Sequence, residues 1–555
     1  MEQKQSIEQF TGRARLPNFA IPRRYDLHLK LDLSACTYSG TVQINVSIVE
    51  ETKFLVLNAL ELDVHEVCFT NSHGQYRPSD VVLDGDEEFL VLVFNQALGV
   101  GEGVLGIGFS AVEIHHARSI LEVFDDISYK KGSAVIRMLQ SYLGDDIFQK
   151  SLSSYIKRYS GKNAKTEDLW SVLSEESGVK VSEIMDAWTK EKGYPVISVK
   201  AKEHILEFEQ TQFLSSGLQG DGNWIVPINF SLGSYDRHKS FLLETKSREV
   251  DISDLVDSFD NEQLWVKINI DQSGFYRVIY EDKLAARLRK AIEHNSLEAT
   301  DKFGILDDAY ALCEACEQSL SSLFSLMDVY RKEVNYIVLT KLIDVCYNVV
   351  KISSEAIPDS ANDLKQFFIN LLLFPAEKLG WESIPGEDHF SALLRAEILQ
   401  ALVIFGHNQT QKEALDRFQT LLNDRNTPLL SADTKGRSQY SAREGKDSTF
   451  VSIFSGPGYS SRSGWIWLKE NWDLILSKYG AGMLLTHFVR DIVTPLCSNE
   501  KADEVEEFFA GRVHPAISMT LKQSIAQVRI KARWVEHIRQ QQSVQELVKE
   551  LAGKK

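Results

Sequence analysis

Residues 1–110 show the apolar period of β-strands. Every second residue is apolar in two stretches, which are Tyr25, Leu27, Leu29, Leu31 and Leu33, and then Val42, Ile44, Val46 and Ile48. Alternation of this kind favours an antiparallel sheet with one buried face and one solvated face. We therefore predict an N-terminal β-domain over residues 1–110.

The apolar period becomes helical from Ile127 to Lys192. Two stripes are predicted to be buried, Ile127, Val135, Ile136, Leu139, Tyr142 and Leu143 in the first, and Ile147, Phe148, Leu152, Tyr155, Ile156 and Tyr159 in the second. Thr166 is a suitable N-cap, Gly178 a suitable stop, and Pro195 prevents the last helix from continuing. Residues 111–194 are expected to form helices without an evident common centre.

The rest of the chain divides into a second β-segment and a long helical segment. Short apolar runs over residues 195–282 predict a compact sandwich of seven or so strands. Residues 283–555 predict paired helices of a curved solenoid, interrupted at about 435–464 by a stretch rich in Ser, Gly and Arg. The predicted fold class is α+β and multidomain.

Composition narrows the class of protein. The 555 residues are 43% hydrophobic and 25% charged, which is ordinary globular material, and the formal net charge is −17. So acidic a chain argues against a nucleic-acid partner. Six cysteines do not make a disulfide scaffold, and neither a signal-peptide core nor a membrane span is evident. We expect a cytoplasmic protein without a transmembrane segment.

A few short motifs contain residue types that can bind a metal or take part in redox chemistry. His115 and His116 lie near acidic residues, but adjacent side chains on an extended segment point to opposite faces and chelate one ion poorly. Cys313 and Cys316 have the spacing of a redox or zinc pair, although an amphipathic helix with a buried face explains them better. No nucleophile elbow and no phosphate-binding loop occur in the sequence.

Four stretches, in order, resemble the M1 family of zinc aminopeptidases, and in particular its puromycin-sensitive type. They are Leu16–Leu27 (LPNFAIPRRYDL), Phe124–Gly132 (FDDISYKKG), Trp188–Val196 (WTKEKGYPV) and Asp271–Val278 (DQSGFYRV). The resemblance implies a partial N-terminal β-domain, the helical remnant of a thermolysin-like domain at 111–194, a small β-sandwich and a C-terminal helical solenoid.

The resemblance also shows what is missing from the middle of the chain. In the family, a Gly-Ala-Met-Glu-Asn motif and a His-Glu-x-x-His zinc motif with a distal Glu precede the segment that resembles Phe124–Gly132. Here Ser110, at the end of the β-pattern, runs directly into Ala111 and that later region. The one His-Glu dipeptide is His65-Glu66, and Phe69 stands where the second imidazole ligand would be needed.

Tyr129 is the one family catalytic residue that the resemblance places in this chain. In the family, the corresponding phenol donates a hydrogen bond to the developing oxyanion. Without zinc to polarise the carbonyl and acidify a water, that donor has no reaction to assist. Zinc is the family cofactor, but we predict neither a cofactor nor a metal ligand for this chain.

Three interpretations of function stay open. The chain is expected to be a catalytically inactive M1 homologue whose family acts on peptides. Alternatively, it is a peptide-binding or partner-binding module that forms a homodimer or pairs with a full-length homologue, with peripheral membrane association open. The third interpretation is a transcript that skips coding blocks at Ser110 and near Lys435.

The missing middle of the chain also predicts a structural cost. The shortened N-terminal sheet and the helices before residue 195 are expected to have uncovered apolar faces.

Overall fold

The computed structural model describes residues 10, 16–32, 37–59, 62–84, 88–111, 127–217, 220–256, 264–382, 384, 386–423, 461–479, 483–512 and 517–554. The chain separates into two compact units, residues 1–125 and 126–555, called here the β unit and the main unit. The order of β-domain, helices, second β-segment and C-terminal helices confirms the predicted α+β fold class. The four domain boundaries stay predictions.

The described strands of the β unit form two antiparallel sheets. Their bounds are β1 (Ala20–Asp32), β2 (Thr37–Ile48), β3 (Thr52–Asn58), β4 (Asp63–Asn71), β5 (Gly74–Tyr76), β6 (Asp80–Asp84), β7 (Phe89–Leu98) and β8 (Gly101–Ala111). One sheet has the order β1-β2-β8-β4-β5 and the other β3-β7-β6. Their core joins β2, β7 and β8 through residues such as Ile44, Leu92 and Leu105.

Strand β1 departs from the predicted pattern of one buried face. Val46 and Ile48 of β2 are buried, as their alternation indicates. The apolar face of β1 is instead open, with exposed fractions of 58% for Tyr25, 55% for Leu27 and 53% for Leu29. Because β1 lies at the edge of its sheet, the alternation correctly predicts a strand while the second sheet fails to cover it.

The main unit begins with a π-helical turn, Ile127–Lys131, followed by four helices. These are α1 (Gly132–Leu143), α2 (Asp145–Arg158), α3 (Thr166–Ser177) and α4 (Val181–Lys190). Two details of the prediction are wrong. Thr166 is the first helical residue rather than the N-cap, because the Asp168 carboxylate accepts the Lys165 backbone N–H at 2.7 Å. Ile147 and Ile156 on α2 are exposed.

Seven described strands follow and make the predicted sandwich. They are β9 (Tyr194–Lys202), β10 (Ile205–Phe213), β11 (Val226–Leu232), β12 (His238–Leu243), β13 (Ser247–Asp251), β14 (Val266–Ile268) and β15 (Arg277–Tyr280). The sheets have the orders β13-β10-β9-β15 and β12-β11-β14. Phe208 of β10 and Phe230 of β11 meet at 5.8 Å between ring centroids and are both fully buried.

The sandwich and the preceding helices share one hydrophobic core. Leu139 of α1, Leu173 of α3 and Trp188 of α4 belong to the same buried cluster as Ile197 and Phe230 of the sandwich. The Trp188 indole N–H donates to the Ile225 carbonyl at 3.1 Å. The expectation of helices without a centre and with uncovered apolar faces is therefore wrong for α1, α3 and α4, because the sandwich covers them.

The C-terminal part of the main unit is helical. The described helices are α5 (Asp282–Glu293), α6 (Ala299–Glu314), α7 (Leu320–Met327), α8 (Tyr336–Ala356), α9 (Ala361–Leu379), α10 (His389–Phe405), α11 (Asn408–Asn423), α12 (Ser461–Tyr479), α13 (Met483–Val493), α14 (Asn499–Phe509), α15 (Ser518–Arg539) and α16 (Val544–Gly553). One large core joins α5 to α10 with α15 and α16, and a second joins α12 to α15. Most of the predicted interruption at 435–464 lies outside the described residues.

No single described helix is long and apolar enough to cross a membrane. One bent pair, His389–Phe405 with Asn408–Arg417, meets the length and composition criteria together, at an angle of 115° between its two helices.

Candidate functional site

Tyr129 lies in the π-helical turn that leads into α1. Its side chain is 58% exposed. Single π-helical turns recur at functional sites in proteins, so the location is compatible with the role that the family resemblance implies. That role stays a prediction.

Two cations fix the turn and α1 to the rest of the main unit. The Lys131 ammonium donates to the carbonyls of Glu191 and Gly193, at 3.2 and 3.3 Å, and burial lowers its pKa. The Arg137 guanidinium pairs with the Asp271 carboxylate at 2.9 Å. These contacts connect the segment around Tyr129 to two other stretches that carry the family resemblance.

The stretch Asp271–Val278 makes a tight left-handed turn before β15. Asn269, Asp271 and Gln272 all have φ between 49 and 61°, a region that non-glycine residues rarely adopt. The Asn269 side chain stabilises the turn, because its amide group donates to the Gly274 carbonyl at 3.0 Å and its oxygen accepts the Gly274 N–H at 2.7 Å. The turn places Arg277 against helix α6.

Arg277 connects the sandwich to α6 through two carboxylates. Its guanidinium lies 2.7 Å from Asp307 and 3.1 Å from Asp308, and Asp308 also accepts the Val278 backbone N–H at 3.1 Å. Burial raises the pKa of Asp308 to about 6. Burial also acts to raise the pKa of Asp307. The positive charges of Arg277 and Lys341 lower it by more, so the pKa of that carboxyl lies below its usual range.

A second, fully buried ion pair lies beside this network. The Lys267 ammonium is 3.3 Å from the Asp301 carboxylate, and both side chains are 1% exposed. Asp301 also accepts the Tyr235 hydroxyl at 2.7 Å and the Asp271 backbone N–H at 2.9 Å. Burial lowers the pKa of Lys267. These contacts show that the motif Asp271–Val278 connects the sandwich to α6, which the sequence pattern alone does not reveal.

The other candidate residues that the structure describes lie in or next to a helix or on a strand of the β unit. Cys313 is buried in α6, as predicted, whereas Cys316 lies past the helix end with a φ of 62°. His65 and Glu66 lie on strand β4, at an irregularity in its pairing with β8, and Phe69 is fully buried. His115 and His116 lie outside the described residues.

A cavity of about 360 Å³ with a mixed polar and apolar lining opens among α6, α8, α13 and α15 in the C-terminal region. Its charged lining residues are Glu314, Lys351, Arg490, Asp491 and Lys531. Burial raises the pKa of Glu314 and lowers that of Lys531. The positive charge of Lys531 partly offsets the rise for Glu314, and the negative charge of Glu314 partly offsets the fall for Lys531. Sequence reasoning missed this cavity because its residues come from four helices far apart along the chain.

Comparison with known families covers most of the chain. The Peptidase M1 N-terminal domain matches residues 21–117, the Peptidase family M1 domain matches 105–188, and the ERAP1-like C-terminal domain matches 265–454 and 443–530. The three matches follow the order of the β unit, the first helices of the main unit and its C-terminal helices. The chain belongs to the M1 family of aminopeptidases.

Individual relatives agree with that assignment. Aminopeptidase M1 of Arabidopsis thaliana is 44% identical over 504 residues, which are 80% of this chain and 57% of the relative. Aminopeptidase M1-C of Oryza sativa subsp. japonica is 44% identical over 501 residues, with the same coverage. The puromycin-sensitive aminopeptidase of Caenorhabditis elegans is 32% identical over 329 residues. The chain therefore spans somewhat more than half the length of these plant relatives.

The M1 family is zinc-dependent. A helical His-Glu-x-x-His motif places two imidazoles one turn apart. Here the His65-Glu66 dipeptide lies on a strand, and the fully buried Phe69 occupies the position of the second ligand. Within the described ranges, no group of three or more His, Cys, Asp or Glu side chains could hold a metal ion. The residues that the structure describes do not fit the family zinc.

Proposed function

We propose that this chain is a non-catalytic M1 homologue that binds peptides through its C-terminal helical region. The location of His65, Glu66 and Phe69 on a strand supports the loss of hydrolysis most directly, because zinc activation of water needs three protein ligands around one open position. A cytoplasmic location is part of the proposal, and the free state of the five described cysteines agrees with it.

The cavity among α6, α8, α13 and α15 is the proposed binding site. Its volume of about 360 Å³ lies at the small end of the range for ligand sites, which suits one end of a peptide rather than a whole peptide. Lys351 and Lys531 can pair with a terminal carboxylate, whereas Arg490 already pairs with Asp491 at 2.9 Å. Glu314 and Asp491 leave a net positive charge in the lining, so a carboxylate is preferred over an amine.

Binding is tested by calorimetric titration of the full chain with a short peptide, once with a free carboxylate and once with an amidated C-terminus. We expect binding of the free acid and at least about tenfold weaker binding of the amide, because the charge-assisted hydrogen bonds are lost. Lys531→Met keeps the aliphatic stem and should weaken the free acid similarly, whereas Lys549→Met on the exposed face of α16 should not. Equal affinities for both peptides would refute the proposed site.

Hydrolysis is tested on the same preparation after addition of zinc. An aminoacyl-arylamide substrate should show no turnover above that of a Tyr129→Phe variant, since neither protein has the ligands to activate water. Turnover well above the variant would overturn the non-catalytic assignment without affecting the peptide-binding result. Sequencing the messenger across Ser110 and Lys435 tests the separate interpretation of a transcript with skipped coding blocks.

A further inference from the structure

Among the strands that the structure describes, β1 has a neighbour on one side only, and its apolar stripe is exposed. It lies at the end of its five-stranded sheet, next to β2. The register places Leu27 opposite Val42 and Tyr25 opposite Ile44, so the stripe is on the core-facing side of the sheet. Leu31, the last residue of the stripe, is 59% exposed. The core-facing surface thus continues past the strands that the second sheet covers.

The other face of β1 carries charges of both signs. Arg24, Asp26, His28, Lys30 and Asp32 alternate with the apolar residues. Charges on an edge strand normally discourage pairing with another chain. This arrangement has that effect only when like charges meet, and the order of signs along β1 is complementary to itself when the strand is read in the opposite direction.

One two-fold register places opposite charges together on the charged face around the central histidine, where Asp26 also pairs with Arg24 of its own chain at 2.7 Å. When His28 faces His28 of a second copy in an antiparallel pair, Asp26 faces Lys30 and Arg24 faces Asp32. Each of these pairs occurs twice because the axis is two-fold. Residues directly opposite in an antiparallel pair lie on the same face, so the apolar stripes of the two copies also stay on one side.

The neighbouring two-fold registers bring like charges together. Moving the axis to Leu27 places Arg24 opposite Lys30, and moving it to Leu29 places Asp26 opposite Asp32. Like charges directly opposite each other destabilise a strand pair. The charge pattern therefore selects the register that is centred on His28.

We infer that β1 pairs antiparallel with β1 of a second copy of this chain, with His28 on the two-fold axis. Such a pair satisfies the backbone N–H and C=O groups of the open edge. It places Tyr25 beside Leu31 and Leu27 beside Leu29 across the axis, as apolar cross-strand pairs. The interface is narrow, so the dimer is in exchange with the monomer rather than permanent.

Charge exchange tests the register. Asp26→Lys places two lysines opposite each other at both symmetric positions, and Lys30→Asp places two aspartates there. Each variant alone should have a dissociation constant at least about tenfold higher than the wild-type chain. The double variant, and an equimolar mixture of the two single variants, should both recover association, because opposite charges face each other again.

The measurement is sedimentation velocity on the full chain over about 1–100 μM. Lys53→Asp is the matched control, since Lys53 is exposed on β3, one of the two edge strands of the other sheet, and this variant should associate like the wild type. A wild-type chain that stays monomeric over this range would overturn the inference. So would single variants that associate normally, or a mixture that fails to associate.

Discussion

The β unit and the main unit differ in how completely their apolar faces are covered. In the β unit, Leu27 and Leu29 of β1 are more than half exposed. In the main unit, the helices α1, α3 and α4 are equally expected to lack their family neighbours, yet Leu139 and Trp188 are buried against the sandwich. A helix group that lies beside an adjacent domain keeps a core, whereas an edge strand that extends past its covering sheet does not.

The units also differ in their ion pairs. Arg24 and Asp26 in the β unit form an exposed pair at 2.7 Å. Lys267 and Asp301 in the main unit form a pair from which water is excluded. Removal of one partner is costly only in the second case, because it leaves a buried charge without compensation. The predictions below use matched changes in the two units.

The largest effect is expected from Asp301→Ala. This change leaves Lys267 buried without its carboxylate and removes the acceptor of the Tyr235 hydroxyl, so it should lower the free energy of unfolding of the main unit by about 3–5 kcal/mol. The measurement is urea denaturation followed by far-UV circular dichroism, which reports on both units, since all nine tryptophans lie in the main unit. Asp26→Ala, the matched change in the β unit, should leave the unfolding midpoint unchanged at protein concentrations where the chain is monomeric, and equal losses in both variants would contradict the contrast.

A truncated leucine should have a smaller but still large effect. Leu342 of α8 is fully buried, so Leu342→Ala should cost about 2–5 kcal/mol by loss of apolar contacts and creation of a cavity. Leu29→Ala on β1 removes the same atoms from a side chain that is 53% exposed, and at protein concentrations where the chain is monomeric it should change the free energy of unfolding by less than about 0.5 kcal/mol. A comparable loss in Leu29→Ala would show that β1 is covered.

A pH effect is expected from Asp308. Its pKa in the folded chain is about 6, above the ordinary value of 3.8, so the folded state binds the proton more tightly than the unfolded state. As the pH rises from about 4 to about 6, the stability of the wild-type chain should therefore fall relative to that of Asp308→Asn, by up to about 3 kcal/mol. Thermal unfolding of both proteins across this range is the measurement, and parallel curves would contradict the buried carboxyl.

The smallest effect is expected from Glu504 on α14. Its hydrogen bonds with Lys469 and Lys501 lower its pKa to about 2, and the side chain is 32% exposed. Solvent screening limits the contribution, so Glu504→Gln should cost less than about 1 kcal/mol at neutral pH. The difference from the wild type should shrink as the pH falls from about 5 to about 2, because the unfolded state takes up the proton first and the folded state only near pH 2. A difference that stays undiminished down to pH 2 would contradict this origin.

The contacts of Glu504 and its neighbours join three helices. The run Glu504–Glu507 is typical of a solvated helix face, but Glu504 contacts Lys469 on α12 and Glu506 contacts Arg529 on α15 at 2.9 Å. Lys531 likewise donates to the Thr494 carbonyl at 2.7 Å. Sequence spacing within one helix cannot show which neighbouring helix supplies the partner.

Much of the fold could be predicted from periodicity. The alternation in β1 and β2, the stop at Gly178 and the short strands of the sandwich all correspond to observed elements. Periodicity identifies an apolar face but not the surface that covers it, which is why β1 and α1 depart from expectation in opposite directions. Lys267 could not be predicted as buried, because only tertiary structure brings Asp301 to it.

Less of the candidate site could be predicted. Tyr129 was placed by resemblance, and its chemical role stays a prediction because the ligands that would surround it in the family are not evident in this sequence. The structural role of Asp271–Val278 became apparent only from its contacts with Asp301 and Asp308. The cavity around Glu314 and Lys531 needed the packing of four helices.

The proposed function requires that this chain packs like an M1 homologue but does not hold zinc. The most direct test is metal analysis of the purified full chain after incubation with zinc and removal of loosely bound ions. The account predicts far less than one equivalent of zinc per chain. One tightly retained equivalent, together with hydrolysis of an aminoacyl-arylamide, would contradict it.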